Sequence, residues 1–388
     1  MTIISNNCVK RTLKSAFRVV SALLILAPSL LFAQAKAPDA SQIQKCWEYD
    51  YGSSGDERIE ADGSYVYLIR DGSVVDAVLL DTGKLAWSSD VGGKIASNLV
   101  SSQGNVIFVR RTTGSGSAEP ESSTVRAISG STGITKWNAS LSKGESYFLA
   151  NSAEKVLVFA PEGDLRLLSA STGSEIARAA VDKLVENAIA GSDGAYFSAA
   201  TREIRLVKFD GSVSTVQPPV PFSISAFAES PDGTLLWGDD HGNLTAFGTA
   251  GNHVLWQFKS GAKINAIVRV NGLVLASSND NFVYALNAGS GGRAWKRRFS
   301  GRIQSLSPVG SESVLVLPVG ESKLYLLDAK TGKNEAIIAF PDTDEIPMAA
   351  ASLDQGFLVM TNNKVYKYSR NDCSGKKLDL SQMRKPPK

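Results

Sequence analysis

Few residues in this sequence have the types and spacing that catalysis or metal binding requires. Its 388 residues include only two histidines, His241 and His253, and three cysteines, Cys8, Cys46 and Cys373. These residues do not cluster at the spacings that hold a metal ion, and no glycine-rich phosphate loop or histidine-activated nucleophile motif is present. We therefore predict a protein that is not an enzyme and has no cofactor or metal site.

Two short polar clusters are the best candidates for cation binding. The sequences are GDDHGN at 238–243 and SNDN at 278–281. Carboxylate and amide oxygens are ligands for Ca²⁺, but neither cluster supplies a full spaced ligand set. The same residue types favour tight turns because their side chains hydrogen-bond to the local backbone. The sequence therefore predicts turns at both places, with a calcium site as the alternative.

Three further segments carry candidate partner-binding residues. They are the polar insertion TTGSGSAEPESS at 112–123, the linker QPPVPF at 217–222 and the basic segment RAWKRRFSGR at 293–302. Loops on a rigid scaffold often carry function, and a basic segment attracts anionic partners. The alternatives are a disordered insertion and charges that protect an exposed edge strand. The candidate residues are Glu119, Glu121, Pro218, Pro219, Phe222, Arg297 and Arg298.

The first 35 residues have the features of a secretory signal. Four basic residues precede an apolar run at 19–32, and Ala33-Gln34-Ala35 offers small residues to a signal peptidase. We predict cleavage after about Ala35 and a periplasmic or secreted mature protein, with an uncleaved anchor as the alternative. No cysteine directly follows the apolar run, so we predict no lipid attachment.

The charge balance excludes general binding to nucleic acid. Four of the 41 basic residues and none of the 38 acidic residues lie in 1–35, which leaves 37 basic against 38 acidic residues. Nucleic-acid affinity depends on many contacts of Lys and Arg with phosphates, so a nearly neutral chain lacks its main source. Beyond the signal no apolar run is long enough for a transmembrane helix, and we predict no membrane span in the mature chain.

A unit of about forty residues recurs along the rest of the sequence. Each copy has β-rich runs in which apolar and more polar residues alternate, and a turn that contains glycine. The turn glycines are at positions 83, 133, 173, 211, 251, 291 and 332. Strand-like content repeated at a nearly constant step is typical of four-stranded blades arranged around an axis. The repeat therefore predicts a β-propeller.

The recurring glycine and tryptophan both have structural explanations. Glycine adopts the positive φ of a tight turn at no steric cost. Trp87, Trp137 and Trp295 each lie four residues after their glycine, and Trp256 lies five after. A fixed offset places the indoles on the same side of equivalent strands, where they would pack between blades. The alternative is a ring of aromatic side chains that binds sugars or bases.

Seven turns leave one further blade incomplete. The segment 356–375 supplies inner strands, and QKCWEYDYG at 44–52 resembles a missing outer strand with Trp47 in the recurring position. We predict an all-β, eight-bladed β-propeller of four-stranded antiparallel blades over 44–380, closed by this N-terminal strand in the last blade. Residues 36–43 are then a linker, and 381–388 form a basic segment that we expect to be disordered.

The cysteines bear on this closure. Signal cleavage removes Cys8 and leaves Cys46 and Cys373, which a shared blade would bring close together. Oxidising compartments favour a disulfide between such a pair. Two independent buried thiols are the alternative.

The repeat, in which LD or ALN precedes a Thr-Gly-type turn and a Trp strand, resembles the repeats of pyrroloquinoline-quinone (PQQ) propellers. Eight such blades behind a signal resemble the BamB-type subunit of the bacterial outer-membrane β-barrel assembly machinery. The resemblance implies a non-catalytic scaffold that binds a protein partner in the cell envelope, and we expect the propeller to be monomeric. The alternatives are a periplasmic ligand- or carbohydrate-binding sensor and, less favoured, a PQQ-dependent dehydrogenase, whose adjacent cysteine pair this sequence lacks.

Overall fold

The β-rich runs of the repeat form strands, and the glycine-containing segments between them form tight turns. The computed structural model describes residues 43–52, 55–112, 122–142, 144–160, 163–180, 184–199, 201–217, 220–340, 342, 344–354, 356–370 and 373. Over these residues 33 strands form eight antiparallel sheets, and there is no helix. The predicted all-β, eight-bladed propeller is therefore confirmed. In this part of the chain, no helix has the length and apolarity that crossing a bilayer requires.

The first four blades follow one another along the chain, each from its innermost to its outermost strand. Blade 1 contains β2 (Gly55–Ala61), β3 (Tyr65–Arg70), β4 (Val74–Leu79) and β5 (Leu85–Asp90). Blade 2 contains β6 (Lys94–Ile95), β7 (Val100–Ser102), β8 (Asn105–Thr112), β9 (Ser122–Ser129) and β10 (Thr135–Leu141). Blade 3 contains β11 (Phe148–Asn151), β12 (Lys155–Phe159), β13 (Asp164–Ser169) and β14 (Glu175–Ala180). Blade 4 contains β15 (Leu184–Ala190), β16 (Gly194–Ala199), β17 (Ile204–Lys208) and β18 (Val213–Gln217).

The next three blades have the same order, and the eighth differs. Blade 5 contains β19 (Ile224–Glu229), β20 (Thr234–Asp239), β21 (Asn243–Gly248) and β22 (His253–Lys259). Blade 6 contains β23 (Ile264–Val270), β24 (Leu273–Ser278), β25 (Phe282–Asn287) and β26 (Arg293–Arg298). Blade 7 contains β27 (Ile303–Val309), β28 (Ser313–Pro318), β29 (Lys323–Asp328) and β30 (Asn334–Ala339). Blade 8 contains β31 (Pro347–Leu353), β32 (Gly356–Thr361), β33 (Lys364–Ser369) and, outermost, β1 (Gln44–Asp50).

The middle strands are buried on both faces, which differs from a simple alternation of apolar and polar positions. Every residue of β16, β28 and β32 is buried, and in β25 the run from Val283 to Leu286 is buried throughout. The reason is that each blade is covered by a neighbour on both sides. Alternation appears instead in outer strands such as β5, β14, β26 and β30, where exposed residues alternate with half-buried ones.

The recurring tryptophans join each blade to the next. Each indole Nε1 donates a hydrogen bond to a backbone carbonyl of the following blade, at distances of 2.8–3.1 Å. The donor and acceptor pairs are Trp47 with Leu80, Trp87 with Gly130, Trp137 with Ala170, Trp256 with Ala288 and Trp295 with Ala329. These five side chains therefore lie between blades, and the indole N–H groups are satisfied there.

The turn glycine of each following blade lies directly against the indole. At Gly83, Gly133, Gly173, Gly291 and Gly332, an added Cβ would come within 2.9 Å of the tryptophan ring, and each glycine has φ of 69–71°. Glycine is thus required twice, by its backbone conformation and by the close approach of the indole. The sequence explains the first requirement, but the second becomes visible only in the structure.

One glycine of the predicted series has a different role. In blade 5 the positive φ of the turn belongs to Asn252, with φ of 50°, and Gly251 has no such conformation. Asn252 lies four residues before Trp256, so the usual offset applies once the correct turn residue is chosen. Asparagine fits here because it tolerates the left-handed region better than most residues with a side chain.

The seam, which we define as the junction of blades 8 and 1, is held by three features. β1 pairs antiparallel with β33 from Gln44↔Ser369 to Asp50↔Lys364. Cys46 and Cys373 form a disulfide with their Cα atoms 5.3 Å apart. Trp47 packs on Gly83 of blade 1. The N-terminal strand therefore completes the last blade, as the repeat predicts.

A buried carboxylate adds a polar contact across the seam. Asp76 in β4 is fully buried and accepts hydrogen bonds from Arg70 Nε at 3.0 Å and Ser88 Oγ at 2.6 Å. Tyr49 in β1 donates its hydroxyl to the same carboxylate at 3.2 Å. Burial, and next the Asp76 charge, raise the pKa of Tyr49 to about 12, so the phenol remains a donor at neutral pH.

Candidate functional site

One of the candidate binding residues, Phe222, lies at the end of the propeller that we call the upper face. We define it by the loops that join the second and third strands of each blade and the loops that join successive blades. Phe222 lies in the loop between β18 and β19, on this face. Glu119, Glu121, Pro218 and Pro219 lie outside the described residues.

Phe222 forms an aromatic stack with a residue of the next loop. Its ring centroid lies 3.8 Å from that of His241, with an angle of 23° between the planes. His241 is in the β20–β21 loop, and its Nδ1 lies 2.7 Å from the Asp240 carboxylate. The side chains of His241 and Asp240 are 55% and 40% exposed. The stack therefore presents an aromatic surface with a carboxylate at its edge to solvent.

Hydrogen bonds from the surrounding backbone hold this stack in place. Asp239, which is buried, accepts from the backbone N–H of His241 at 2.9 Å and of Asn243 at 2.8 Å. Lys259 Nζ donates to the His241 carbonyl at 2.5 Å, and Arg202 donates to the Pro221 carbonyl at 2.6 Å. Both loops that carry the stack are therefore braced, and the surface is formed before any partner binds.

The two polar clusters are turns whose carboxylates bond to the protein itself. In the second cluster, Asp280 accepts from the backbone N–H groups of Phe282 at 3.1 Å and Gly261 at 2.9 Å and from the Tyr284 hydroxyl at 2.6 Å. Asp239 has the corresponding role in the first cluster. Among the described residues, no group of three or more His, Cys, Asp or Glu side chains is arranged to hold a metal ion. The geometry thus favours the turn interpretation over the calcium alternative.

The two arginine candidates on β26 have different environments. The Arg297 guanidinium lies 5.1 Å from the ring centroid of Phe299 and 5.7 Å from that of Tyr325, and it donates to the Gly332 carbonyl at 2.9 Å. Arg297 therefore packs between blades 6 and 7. Arg298 follows Arg297 in the strand, so its side chain lies on the opposite face of the blade, and it is exposed. Arg298 is thus better placed than Arg297 to meet a partner.

A charged network at the junction of blades 2 and 3 supports the upper face. Asp164 accepts from Arg178 Nε at 3.0 Å, Arg166 Nε at 3.1 Å and Ser142 Oγ at 2.7 Å. The hydrogen bond from Arg178 contributes most to lowering the pKa of Asp164 to about 2. Ser142 belongs to the loop that enters blade 3, so the network fixes that loop to the blade.

This network predicts a pH-dependent loss of stability in Asp164→Asn. A carboxylate whose folded pKa is lowered stabilises the protein above its unfolded pKa, and the contribution disappears as pH falls toward 2. Because solvent screens this partly exposed network, we expect a loss of about 1 kcal/mol at pH 7 and a smaller one at pH 3. Urea unfolding at the two pH values measures this. Asp232→Asn, which removes the more exposed pair with Arg269, serves as the control, and equal losses at both pH values would contradict the prediction.

The comparisons with known proteins fit this geometry. The eight blades, the repeat and the tryptophan–glycine contacts define a propeller of the PQQ-repeat class. The sequence profile of the family described as outer membrane protein assembly factor BamB matches residues 34–201 and 162–372. This chain belongs to that family.

One curated relative and two solved structures show how similar this chain is to individual proteins in sequence and in fold. The outer membrane protein assembly factor BamB of Yersinia pestis is 23% identical over 350 residues, which cover 86% of this chain and 79% of that protein. The crystal structure of BamB from Moraxella catarrhalis aligns with a TM-score of 0.65 at 14% identity, covering 84% of this chain and 98% of that one. The computationally designed Ika8 protein aligns with a TM-score of 0.66 at 14% identity, covering 84% and 99%. These structural likenesses show the fold.

His241 is the residue of this surface that sequence reasoning missed. The GDDHGN segment predicted a turn, with a calcium site as the alternative, and Phe222 was a partner-binding candidate without a stacking partner. A usable signal was present, because the loop before a blade and the loop between its second and third strands emerge at the same end. Phe222 and His241 occupy those two loops of blade 5.

Proposed function

We propose that this protein is an exported, non-catalytic propeller that binds a protein partner in the cell envelope and acts in outer-membrane protein assembly. The observation that carries the proposal is the family match across residues 34–372, which names an outer-membrane protein assembly factor. The family match supports the setting, and the secretory features of residues 1–35 support export.

The surface that we assign to the partner is the upper face around the Phe222–His241 stack. A half-buried Phe222 stacked on an exposed His241, both on braced loops, resembles the aromatic anchors that supply most of the binding energy in protein interfaces. Asp240 places a negative charge beside the stack, so the partner should offer an apolar side chain next to a basic one. The loops are preformed, which lowers the entropic cost of binding.

Site-specific photo-cross-linking in the source cells tests this proposal. A benzoylphenylalanine at position 222 should form an adduct with a subunit of the β-barrel assembly machinery, identified by mass spectrometry. The matched control is position 134, because Ile134 is 66% exposed and lies in a turn at the opposite end of blade 2. Equal adducts from both positions, or an adduct only with proteins unrelated to assembly, would refute the proposal.

The affinity for the captured subunit should depend on the stack. We expect Phe222→Ala to weaken binding by at least about tenfold, the usual loss at an aromatic anchor, without a change in melting temperature. Ile134→Ala should leave the affinity unchanged. Isothermal titration of the purified pair gives both values, and an unchanged affinity in Phe222→Ala would move the binding surface elsewhere.

A further inference from the structure

The seam contains a cavity at the end of the propeller opposite the upper face, which we call the lower face. In the other seven blades a tight turn joins the third and fourth strands at this end, whereas in blade 8 the disulfide joins β33 to β1. Beside the disulfide lies a cavity of about 440 Å³ between blades 8 and 1. Its lining includes Asp62, Leu80, Asp81, Leu353, Asp354 and Cys373.

The cavity combines an apolar wall with a net negative charge, because its lining has three aspartates, Asp62, Asp81 and Asp354, and one lysine, Lys367. Leu80 and Leu353 supply apolar surface, whereas Asp81 and Asp354 are exposed and have no described Lys or Arg nitrogen within 4.0 Å. Lys367 also lines the cavity, where its Nζ donates to the Leu80 carbonyl at 3.0 Å and its charge partly offsets that of Asp81. Its chemistry therefore suits an extended peptide with apolar side chains flanked by basic ones.

The chain itself supplies such a peptide at this point. Cys373 lines the cavity. Residues 374–388 follow it with the sequence SGKKLDLSQMRKPPK and lie outside the described residues. This segment has five basic residues and one acidic residue, and the pair Lys376-Lys377 directly precedes two leucines, Leu378 and Leu380. We propose that residues 374–388 dock in the seam cavity, with Leu378 or Leu380 against its apolar wall and Lys376 and Lys377 near Asp81 and Asp354.

The covalent connection makes this docking favourable. Lys376 lies three residue steps after Cys373, which span at most about 10 Å, so the lysines cannot move far from the cavity. A segment tethered this closely has an effective concentration in the millimolar range, so weak contacts are enough to keep it bound. The docked segment would also cover the Cys46–Cys373 bond.

Photo-cross-linking within the full chain tests the docking. With benzoylphenylalanine at position 378, we expect a cross-link inside the same molecule to residues 61–63, 80–81 or 352–354. The variant Asp81→Lys/Asp354→Lys should reduce its yield by about fivefold, as expected for the loss of two exposed charge pairs. The control Glu154→Lys/Asp193→Lys makes the same charge change at exposed lower-face loops of blades 3 and 4 and should leave the yield unchanged.

A second measurement does not depend on the introduced group. If the segment covers the disulfide, Lys376→Glu/Lys377→Glu should speed reduction of Cys46–Cys373 by a water-soluble phosphine, followed by alkylation and mass spectrometry. A cross-link to a second copy of the chain or to another part of this one would overturn the proposal. So would a yield that falls equally in both charge variants, or a reduction rate that does not change.

Discussion

Replacing Trp137 by alanine should lower the free energy of unfolding by about 3–5 kcal/mol, the usual cost of removing a large buried aromatic side chain. Trp137 is 8% exposed, contacts Gly173 and donates to the Ala170 carbonyl, so its loss opens a cavity between blades 2 and 3. Denaturant titration measures the change. Lys296→Ala, on the exposed side of β26, should cost less than about 0.5 kcal/mol.

The glycine partner gives a matched control for the same contact. Gly173 and Gly104 have nearly equal φ of 71° and 70°, but an added Cβ overlaps the indole at Gly173 and meets nothing within 4 Å at Gly104. Gly104→Ala should cost about 1–2 kcal/mol for backbone strain alone. Gly173→Ala should cost about 1–3 kcal/mol more because of overpacking. Trp137→Ala should remove that additional cost, and equal losses at the two glycines would show that the indole does not constrain the turn.

Reduction of the Cys46–Cys373 disulfide should lower the melting temperature without dismantling the blades. The bond closes a loop with a sequence separation of 327 residues. The chain-entropy account gives an upper value of about 5–6 kcal/mol for so long a loop, and native disulfides typically contribute about 2–5 kcal/mol. The pairing of β1 with β33, the Trp47 contact and the Tyr49–Asp76 hydrogen bond remain after reduction. Far-ultraviolet circular dichroism with and without reductant separates the two effects.

Cys46→Ser/Cys373→Ser is the control for side reactions of the reductant. Its melting temperature should match that of the reduced protein and should not change when reductant is added. Peptide mapping without reduction should recover Cys46 and Cys373 in one linked peptide pair. Two free thiols in the native protein, or equal melting temperatures with and without reductant, would contradict the covalent closure.

The parts of the fold that the sequence predicts are those encoded locally. Turn glycines, the tryptophan offset and the unmatched strand at 44–52 recur within short segments, so the blade number and the closure follow from spacing. Burial did not follow from spacing, because the cover on Val283–Leu286 comes from neighbouring blades. Gly251 was misassigned because Gly251 and Asn252 both suit a turn, and only the backbone conformation distinguishes them.

The candidate site was less predictable than the fold for a related reason. Phe222 could be selected from the sequence as an apolar residue in a linker between blades. Its stacking partner, His241, is separated from it along the chain by strands β19 and β20. Arg297 and Arg298 are neighbours of the same type, and only the packing of blade 7 distinguishes the structural side chain from the exposed one. A partner surface on a propeller is formed by loops that are distant in sequence and that the ring brings together. A short sequence motif therefore cannot predict which residues form it.

The shared blade also sets the order in which the molecule can fold. β1 is made first, yet its partner β33 is made last, so Trp47 and the backbone edge of β33 have no native partner until the rest of the ring is assembled. Pairing between such distant segments is slow because loop-closure entropy precedes any stabilising contact. Closure of the ring therefore requires the capture of the first strand, and until it occurs the unpaired edge of β33 is available for aggregation or for chaperones.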